Sequence, residues 1–143
     1  MMADALRVVL VDDEDLVRSG LRLLLSNAPD IEVVAEASNG RDAVATVLDA
    51  QPDVVLMDIR MPVMDGIAAV EKILSVHAVP IIMLTAFDTD SFILRALRAG
   101  AAGFLLKSTP PESLMAAVRA AAAGQPLLLS LINIYRCRRR GKG

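Results

Sequence analysis

Four short apolar runs in this 143-residue chain end in polar side chains whose types suit one kind of chemistry. These side chains are carboxylates, a hydroxyl and an ammonium, namely Asp12, Asp13, Asp58, Thr85 and Lys107. Carboxylates brought to one place repel one another unless a cation offsets the repulsion. Mg²⁺ suits that task because it prefers oxygen ligands, takes few protein carboxylates and keeps positions for water and phosphate. Such a site favours phosphoryl transfer, with a carboxylate as nucleophile and an acyl phosphate as product.

Each of these residues also has a simpler structural interpretation. Acids such as Asp12 and Asp13 are typical of a helix N-terminus, where they favour the positive end of the helix dipole. Alone, Asp58 could be a turn residue, Thr85 a strand end and Lys107 a solvated surface lysine. The phosphoryl-transfer hypothesis therefore depends on whether the fold brings the five residues together.

Alternating apolar runs and amphipathic patterns predict five strands and five helices. The strands are expected at 6–11, 31–37, 53–57, 80–85 and 103–106. Four of them are nearly continuous Val, Ile, Leu and Met, as in a parallel sheet covered on both faces, whereas the second carries Glu32 and Glu36 and is expected at an edge. The pattern predicts an α/β fold, a (βα)₅ doubly wound five-stranded parallel sheet. Ligands bind beyond the carboxyl ends of such strands, so the polar residues should share one rim and Asp53 the opposite rim.

The helix boundaries carry capping signals. We expect Asn39 to cap the second helix and Asp65 the third, and Gly100 to follow the fourth in a left-handed conformation. Thr109 is predicted to cap the fifth helix, with Pro110 as its first residue. The first helix has an apolar stripe and, opposite it, a polar stripe. The polar stripe consists of Arg18, Arg22 and Ser26.

Composition and charge narrow the class of protein. The single cysteine, Cys137, excludes an intrachain disulfide, and the N-terminus lacks the features of a signal peptide. No apolar run approaches a membrane span, so we expect a cytoplasmic protein without a membrane partner. Residues 136–143 contain four Arg, one Lys and no acid. Since the net charge of the whole chain is −2, the net charge of residues 1–135 is −7. A generic nucleic-acid surface on that acidic body is disfavoured.

Four motifs together resemble one protein family. The segments "VVLVDDED", "DVVLMDIRMPVMDG", "PIIMLTA" and "GFLLKSTPPESL" are similar to the receiver domain of bacterial two-component response regulators. The resemblance covers residues 6 to about 124, and "AVRAAAAGQPLL" resembles the ending of the NarL/LuxR-type subfamily. It implies a flavodoxin-like fold with strand order 2-1-3-4-5.

The same resemblance implies roles for the acidic residues. Asp58 would be the phosphoacceptor, and a phosphohistidine on a sensor histidine kinase would be the phosphodonor. Asp13 and Asp58 would bind Mg²⁺ with the backbone carbonyl of Arg60, and Asp12 would bind it directly or through water. Apart from self-phosphorylation on Asp58 and autodephosphorylation, no enzymatic activity is implied.

A switch is implied as well. Lys107 would bind the phosphoryl group and Thr85 would move to meet it. Phe104 stands three residues before Lys107, where the family has its switch aromatic, and would follow inward. The surface of the fourth helix, fifth strand and fifth helix would then change, to be read by a partner or by a second copy in a homodimer.

The chain departs from the family pattern in two places. Many receivers have proline after the lysine, where this chain has Ser108, and the sequence does not say whether the Lys107–Ser108 bond is cis. We expect a receiver domain at 4–124 and a basic tail or truncated linker at 125–143, with no helix-turn-helix after it. DNA would be contacted only through a missing output domain.

Two other functions compete with this interpretation. An aspartyl-phosphate phosphatase would have a similar rim but usually carries a second Asp two residues after the nucleophile, where this chain has Arg60. A receiver-like interaction module could signal without phosphorylation, although the complete acceptor set argues against it.

Overall fold

The five predicted strands form a parallel sheet in the structure, a computed structural model that describes residues 5–59, 61, 64–85 and 90–125, without the side chains of 90–93. The strands are β1 Leu6–Val11, β2 Ile31–Ala37, β3 Val54–Asp58, β4 Ile81–Thr85 and β5 Gly103–Leu106. Their order is β2-β1-β3-β4-β5, which confirms the predicted flavodoxin-like order and the edge position of β2.

Two strands begin one residue later than predicted. Asp53 precedes β3, and its side chain is hydrogen-bonded to the start of β1, where its Oδ2 accepts from the Arg7 N–H at 2.8 Å. Pro80 precedes β4 and has no N–H for the sheet, although its carbonyl accepts from Val55 at 3.0 Å. The shift leaves Asp58 as the last residue of β3.

In the described part of the chain five helices cover the sheet, and each begins within about a residue of its predicted start. They are α1 Asp15–Ser26, α2 Gly40–Ala50, α3 Gly66–Val76, α4 Asp90–Ala99 and α5 Pro111–Ala122. Two predicted N-caps are confirmed, since Asn39 accepts from the Asp42 N–H and Asp65 from the Ala68 N–H, both at 2.8 Å. Gly100 has the predicted positive φ, 109°. None of the helices described in the structure is long and apolar enough to cross a bilayer.

The predicted cap of α5 is wrong. Pro110 occupies the N-cap position and Pro111 the first helical position, and no side chain caps this helix. The N–H of Thr109 instead donates to the Leu106 carbonyl at 3.0 Å, which places Thr109 in the turn that leaves β5. Both prolines fit a first helical turn, so the sequence pattern alone could not distinguish their positions.

Alternate residues of the strands face two hydrophobic layers. Val9 and Val55 face the layer formed with α2, α3 and α4, whereas Val8 and Val54 face the layer formed with α1 and α5. All four side chains are fully buried. A sheet covered on both faces explains the nearly continuous apolar strands and holds the strand ends, where the polar residues lie, in fixed register.

Candidate functional site

Four of the predicted polar residues meet at the carboxyl ends of neighbouring strands. Asp12 follows β1, Asp58 ends β3, Thr85 ends β4 and Lys107 follows β5. Asp12, Asp58 and Thr85 are buried, with exposed fractions of 1%, 6% and 4%. Buried charged residues require partners, because an isolated buried charge is costly to desolvate.

Asp12 is held by its main chain and by its side chain. Its N–H donates to the Ala37 carbonyl of β2 at 3.1 Å, and its Oδ1 accepts from the Glu14 N–H at 2.9 Å. Glu14 is the N-cap residue of α1 and makes no capping hydrogen bond with its side chain. The acids after β1 therefore do not form an ordinary side-chain cap of this helix.

Three carboxylates form an acidic cluster at this rim. One oxygen from each of Asp12, Asp13 and Asp58 lies within 4.8 Å of the other two. Asp13 is exposed, in contrast to the other two. The buried Oδ2 of Asp12 accepts no hydrogen bond among the described residues. An anionic oxygen in that state favours a positive charge nearby.

Lys107 supplies one such charge. Its Nζ lies 2.9 Å from Asp12 Oδ2 and 3.2 Å from Asp58 Oδ2. The contact with Asp12 is an ion pair without hydrogen-bond alignment, whereas the contact with Asp58 is also a hydrogen bond. Burial lowers the pKa of Lys107, but the contacts of its ammonium with the Asp12 and Asp58 carboxylates outweigh burial and raise this pKa above its usual value. Lys107 is therefore an ammonium at neutral pH.

The main chain fixes Lys107 at the rim. Its N–H donates to the Thr85 carbonyl at 2.7 Å, which extends the pairing of β4 with β5 beyond the last strand residue. No cis peptide bond occurs in the parts of the chain that the structure describes, so the bond between Lys107 and Ser108 is trans.

Gly66 is required for the close approach of α3 to β3. A Cβ atom at this position would lie 2.2 Å from the Asp58 carbonyl oxygen, inside van der Waals contact. The Gly66 N–H also donates to the Ile59 carbonyl at 2.7 Å. The sequence "DG" thus has two functions, since Asp65 caps the helix and Gly66 lets the helix end pack against the acceptor strand.

Phe104 lies in the core and not at the surface. It is 4% exposed, pairs with Met83 in the sheet register and belongs to the hydrophobic layer under α4. The side chain therefore already lies inside the core in this structure, and its movement stays a prediction. Phe has no polar group that would favour water, and exposing it would cost about 1.5–3 kcal/mol.

The donor set fits a hard divalent cation. Carboxylate oxygens from three residues are close enough to share one ion, and one of these oxygens is buried without a hydrogen bond among the described residues. Such oxygens are the ligands that Mg²⁺ prefers. Arg60, whose backbone carbonyl was also predicted to bind the metal, lies outside the described residues.

The sequence pattern missed Arg18. It was placed on the outer stripe of α1, but its side chain is only 16% exposed. Its guanidinium contacts the main-chain oxygen of Asp12 and the carboxylates of Asp15 and Glu36. The three-residue spacing of Asp15 and Arg18 predicts one of these contacts, whereas the other two depend on the sheet.

Comparison with known families and proteins agrees with the fold. Residues 8–119 match the family described as the response regulator receiver domain. The chain is 45% identical over 130 residues to the uncharacterized transcriptional regulatory protein YxjL of Bacillus subtilis, covering 89% of this chain and 59% of YxjL. It is 42% identical over 128 residues to the transcriptional regulatory protein LiaR of the same organism, covering 89% of this chain and 61% of LiaR. The chain thus spans about three fifths of both relatives.

Solved structures are similar over the same region. The signal receiver domain of the response regulator NarL from Mycobacterium tuberculosis superposes with a TM-score of 0.83 at 35% identity, over 86% of this chain and all of that domain. A LuxR-family two-component response regulator from Aurantimonas superposes with a TM-score of 0.81 at 36% identity, over 86% of this chain and 89% of that one. These likenesses agree with the NarL/LuxR-type resemblance seen in the sequence.

Proposed function

Because this chain belongs to the response regulator receiver domain family of two-component signalling, we propose that Asp58 accepts a phosphoryl group from the phosphohistidine of a sensor histidine kinase. One observation carries the proposal. The buried Asp58 carboxylate lies 3.2 Å from the Lys107 ammonium and within 4.8 Å of two further carboxylates at the carboxyl edge of the sheet.

The transfer forms one bond and breaks one bond. A carboxylate oxygen of Asp58 attacks phosphorus, the phosphorus–nitrogen bond to the imidazole breaks, and the electron pair leaves with the imidazole nitrogen. The Lys107 ammonium, 3.2 Å from Asp58 Oδ2, would neutralise phosphoryl oxygens, whose charge grows during transfer. The reaction is self-modification, followed by autodephosphorylation, and the domain acts on no other substrate.

Asp12, Asp13 and Asp58, with the Arg60 carbonyl, would hold Mg²⁺. When bound, the ion supplies charge neutralisation for the phosphoryl oxygens and for the cluster itself. Asp58 has the Lys107 contact as well, so its orientation does not depend on the ion alone.

Output would depend on a population shift. Thr85 would move to the phosphoryl group, and the surface of α4, β5 and α5 would change with it. Since Phe104 is already buried, phosphorylation would hold this side chain inside the core and would not need to bring it there. Shifting a two-state equilibrium from 1:99 to 99:1 requires about 5.5 kcal/mol of preference for one state.

The remaining proposals concern the longer context. We propose a receiver domain at 4–124 and a basic tail or truncated linker at 125–143, in a cytoplasmic protein. LiaR and YxjL are described as transcriptional regulatory proteins, so the output is proposed to be transcription, through a DNA-binding domain outside this sequence. Phosphorylation would favour a homodimer.

Intact mass tests the proposal. The protein is incubated with a small acyl phosphate and Mg²⁺, with Mg²⁺ replaced by a chelator in a parallel sample. We expect one labile phosphoryl group per chain with Mg²⁺ and little without it. Equal labelling of the parent and of Asp58→Asn would refute the assignment, and absence of any labelling would favour an interaction module that is independent of phosphorylation.

A further inference from the structure

The Arg18 guanidinium lies beside the loop that carries the acidic cluster. Its Nη1 donates to the main-chain oxygen of Asp12 at 2.7 Å, and its Nε donates to Glu36 Oε1 at 3.0 Å. Its Nη2 donates to Asp15 Oδ1 at 2.6 Å. One side chain thus connects the end of β1, the edge strand β2 and the first turn of α1.

With the Arg18 contact, both main-chain polar groups of Asp12 and one oxygen of its side chain are hydrogen-bonded. Its N–H is held by Ala37 and its Oδ1 by the Glu14 N–H, so the carbonyl is the remaining polar main-chain group. Arg18 holds that group with a charge-assisted hydrogen bond, which is shorter and stronger than a neutral one. The planar fork of arginine reaches three acceptors at once, whereas a lysine offers a single ammonium.

We propose that Arg18 is a positioning residue for Mg²⁺ binding, acting by fixing the main chain of Asp12 so that the carboxylates of Asp12 and Asp13 point to a common ion. The inference rests on the proposed metal-dependent phosphorylation. Neighbours that orient metal ligands typically change metal affinity by about 10–100-fold when they are removed. Because Arg18 holds the ligand through its main chain, we expect the lower end of that range.

The sign of the effect separates positioning from simple electrostatics. Arg18 is a positive charge close to a cation site, so removing the charge should tighten Mg²⁺ binding if Coulomb repulsion were its only effect. The positioning role predicts weaker binding after the same change. A loss of affinity therefore identifies the hydrogen-bonding role.

Arg22 provides a matched control. It lies one turn further along α1, pairs with the same Glu36 through the other carboxylate oxygen and is more exposed, at 53% of its side chain. Among the described residues, Glu36 is the one partner with which the Arg22 side chain forms a hydrogen bond or ion pair, and Asp12 is not a partner. Arg22→Met therefore removes a positive charge and an ion pair to β2 but leaves the Asp12 carbonyl held.

The experiment measures Mg²⁺ affinity by calorimetry in the parent, Arg18→Met, Arg18→Lys and Arg22→Met. The Mg²⁺ dependence of Asp58 labelling by an acyl phosphate is measured in parallel. We expect about tenfold weaker binding in Arg18→Met, weaker binding in Arg18→Lys, and unchanged or slightly tighter binding in Arg22→Met. The half-saturating Mg²⁺ concentration for labelling should rise in the Arg18 variants, while their rate at saturating Mg²⁺ stays near that of the parent.

Three results would overturn the inference. The first is parent-like or tighter binding in the Arg18 variants, and the second is an equal loss in Arg22→Met. The third is a parent that binds no Mg²⁺, which would refute the proposed function and the inference with it. Thermal unfolding identifies any variant that does not fold, and Arg18→Lys preserves the test if Arg18→Met fails.

Discussion

Replacing Asp58 with asparagine should stabilise the metal-free protein, although it removes an ion pair. At an effective dielectric constant near 20, the Asp58 charge gains about 5 kcal/mol from Lys107 at 3.2 Å. The same charge loses at least about 3.5 kcal/mol to Asp12, one of whose carboxylate oxygens lies within 4.8 Å, and about half as much to the solvent-screened Asp13. Attraction and repulsion thus nearly cancel. The free-energy cost of desolvating the Asp58 carboxylate, which is 6% exposed, is then left without compensation. A neutral asparagine avoids much of this cost.

Lys107 keeps Asp12 as a partner at 2.9 Å, so the substitution leaves no unpaired ammonium. Because like-charge repulsion is removed, we expect the free energy of unfolding of Asp58→Asn in a chelator to be about 1–2 kcal/mol higher than that of the parent. This corresponds to roughly 4 °C in Tm per kcal/mol for a domain of this size. With Mg²⁺ at ten times its dissociation constant, the parent should gain about 1.4 kcal/mol while the variant gains little. Circular dichroism during thermal unfolding, with and without Mg²⁺, measures both effects.

Asp53→Asn is the matched control, because it makes the same chemical change just before the other end of β3. Asparagine can still accept the Arg7 N–H that Asp53 accepts at 2.8 Å. The control should follow the parent under both conditions. A metal-free Asp58→Asn that is less stable than the parent would show that Lys107 outweighs the repulsion, and the charge argument for the cation site would fail.

Two further predictions concern packing and pH. Gly66→Ala would place a Cβ 2.2 Å from the Asp58 carbonyl oxygen, so it should destabilise the fold by about 2 kcal/mol or more and slow Asp58 labelling. In Gly20→Ala the new Cβ meets no atom within 4 Å, so this control should stabilise the fold by about 0.5–1 kcal/mol. Urea unfolding compares the stabilities of the two variants. The hydrogen bond from Arg119 lowers the pKa of Asp30, so its contribution to stability is present above the usual carboxyl pKa of 3.8 and is lost as pH falls through the lowered value. Asp30→Asn should therefore lower the urea midpoint at neutral pH but change it little at a pH below the lowered pKa of Asp30. An equal decrease of the urea midpoint at both pH values would contradict a stabilising role for the Asp30–Arg119 ion pair.

The sequence predicts the sheet well because its signals are local. Continuous apolar runs located the strands to within a residue, and the rule that ligands bind at the carboxyl ends of strands separated Asp58 from Asp53. The caps at Asn39 and Asp65 were predictable for the same reason, since each hydrogen bond spans three residues.

Features that depend on distant contacts were not predictable in this way. Arg18 fits the polar stripe of an amphipathic helix, and only the folded sheet brings Glu36 and the Asp12 carbonyl to its guanidinium. The start of α5 was misplaced because two adjacent prolines satisfy the same local rule. The burial of Phe104 depends on packing beneath α4, which the spacing of the aromatic and the lysine does not encode.

The position of the phosphoryl group distinguishes Asp58 from the other carboxylates of the rim as the acceptor. After labelling with an acyl phosphate and Mg²⁺, borohydride reduction converts the acyl phosphate into a stable product whose position peptide mass spectrometry can read. We expect modification at Asp58 alone, and none in Asp58→Asn. Modification of Asp12, Asp13 or another residue in the parent would contradict it.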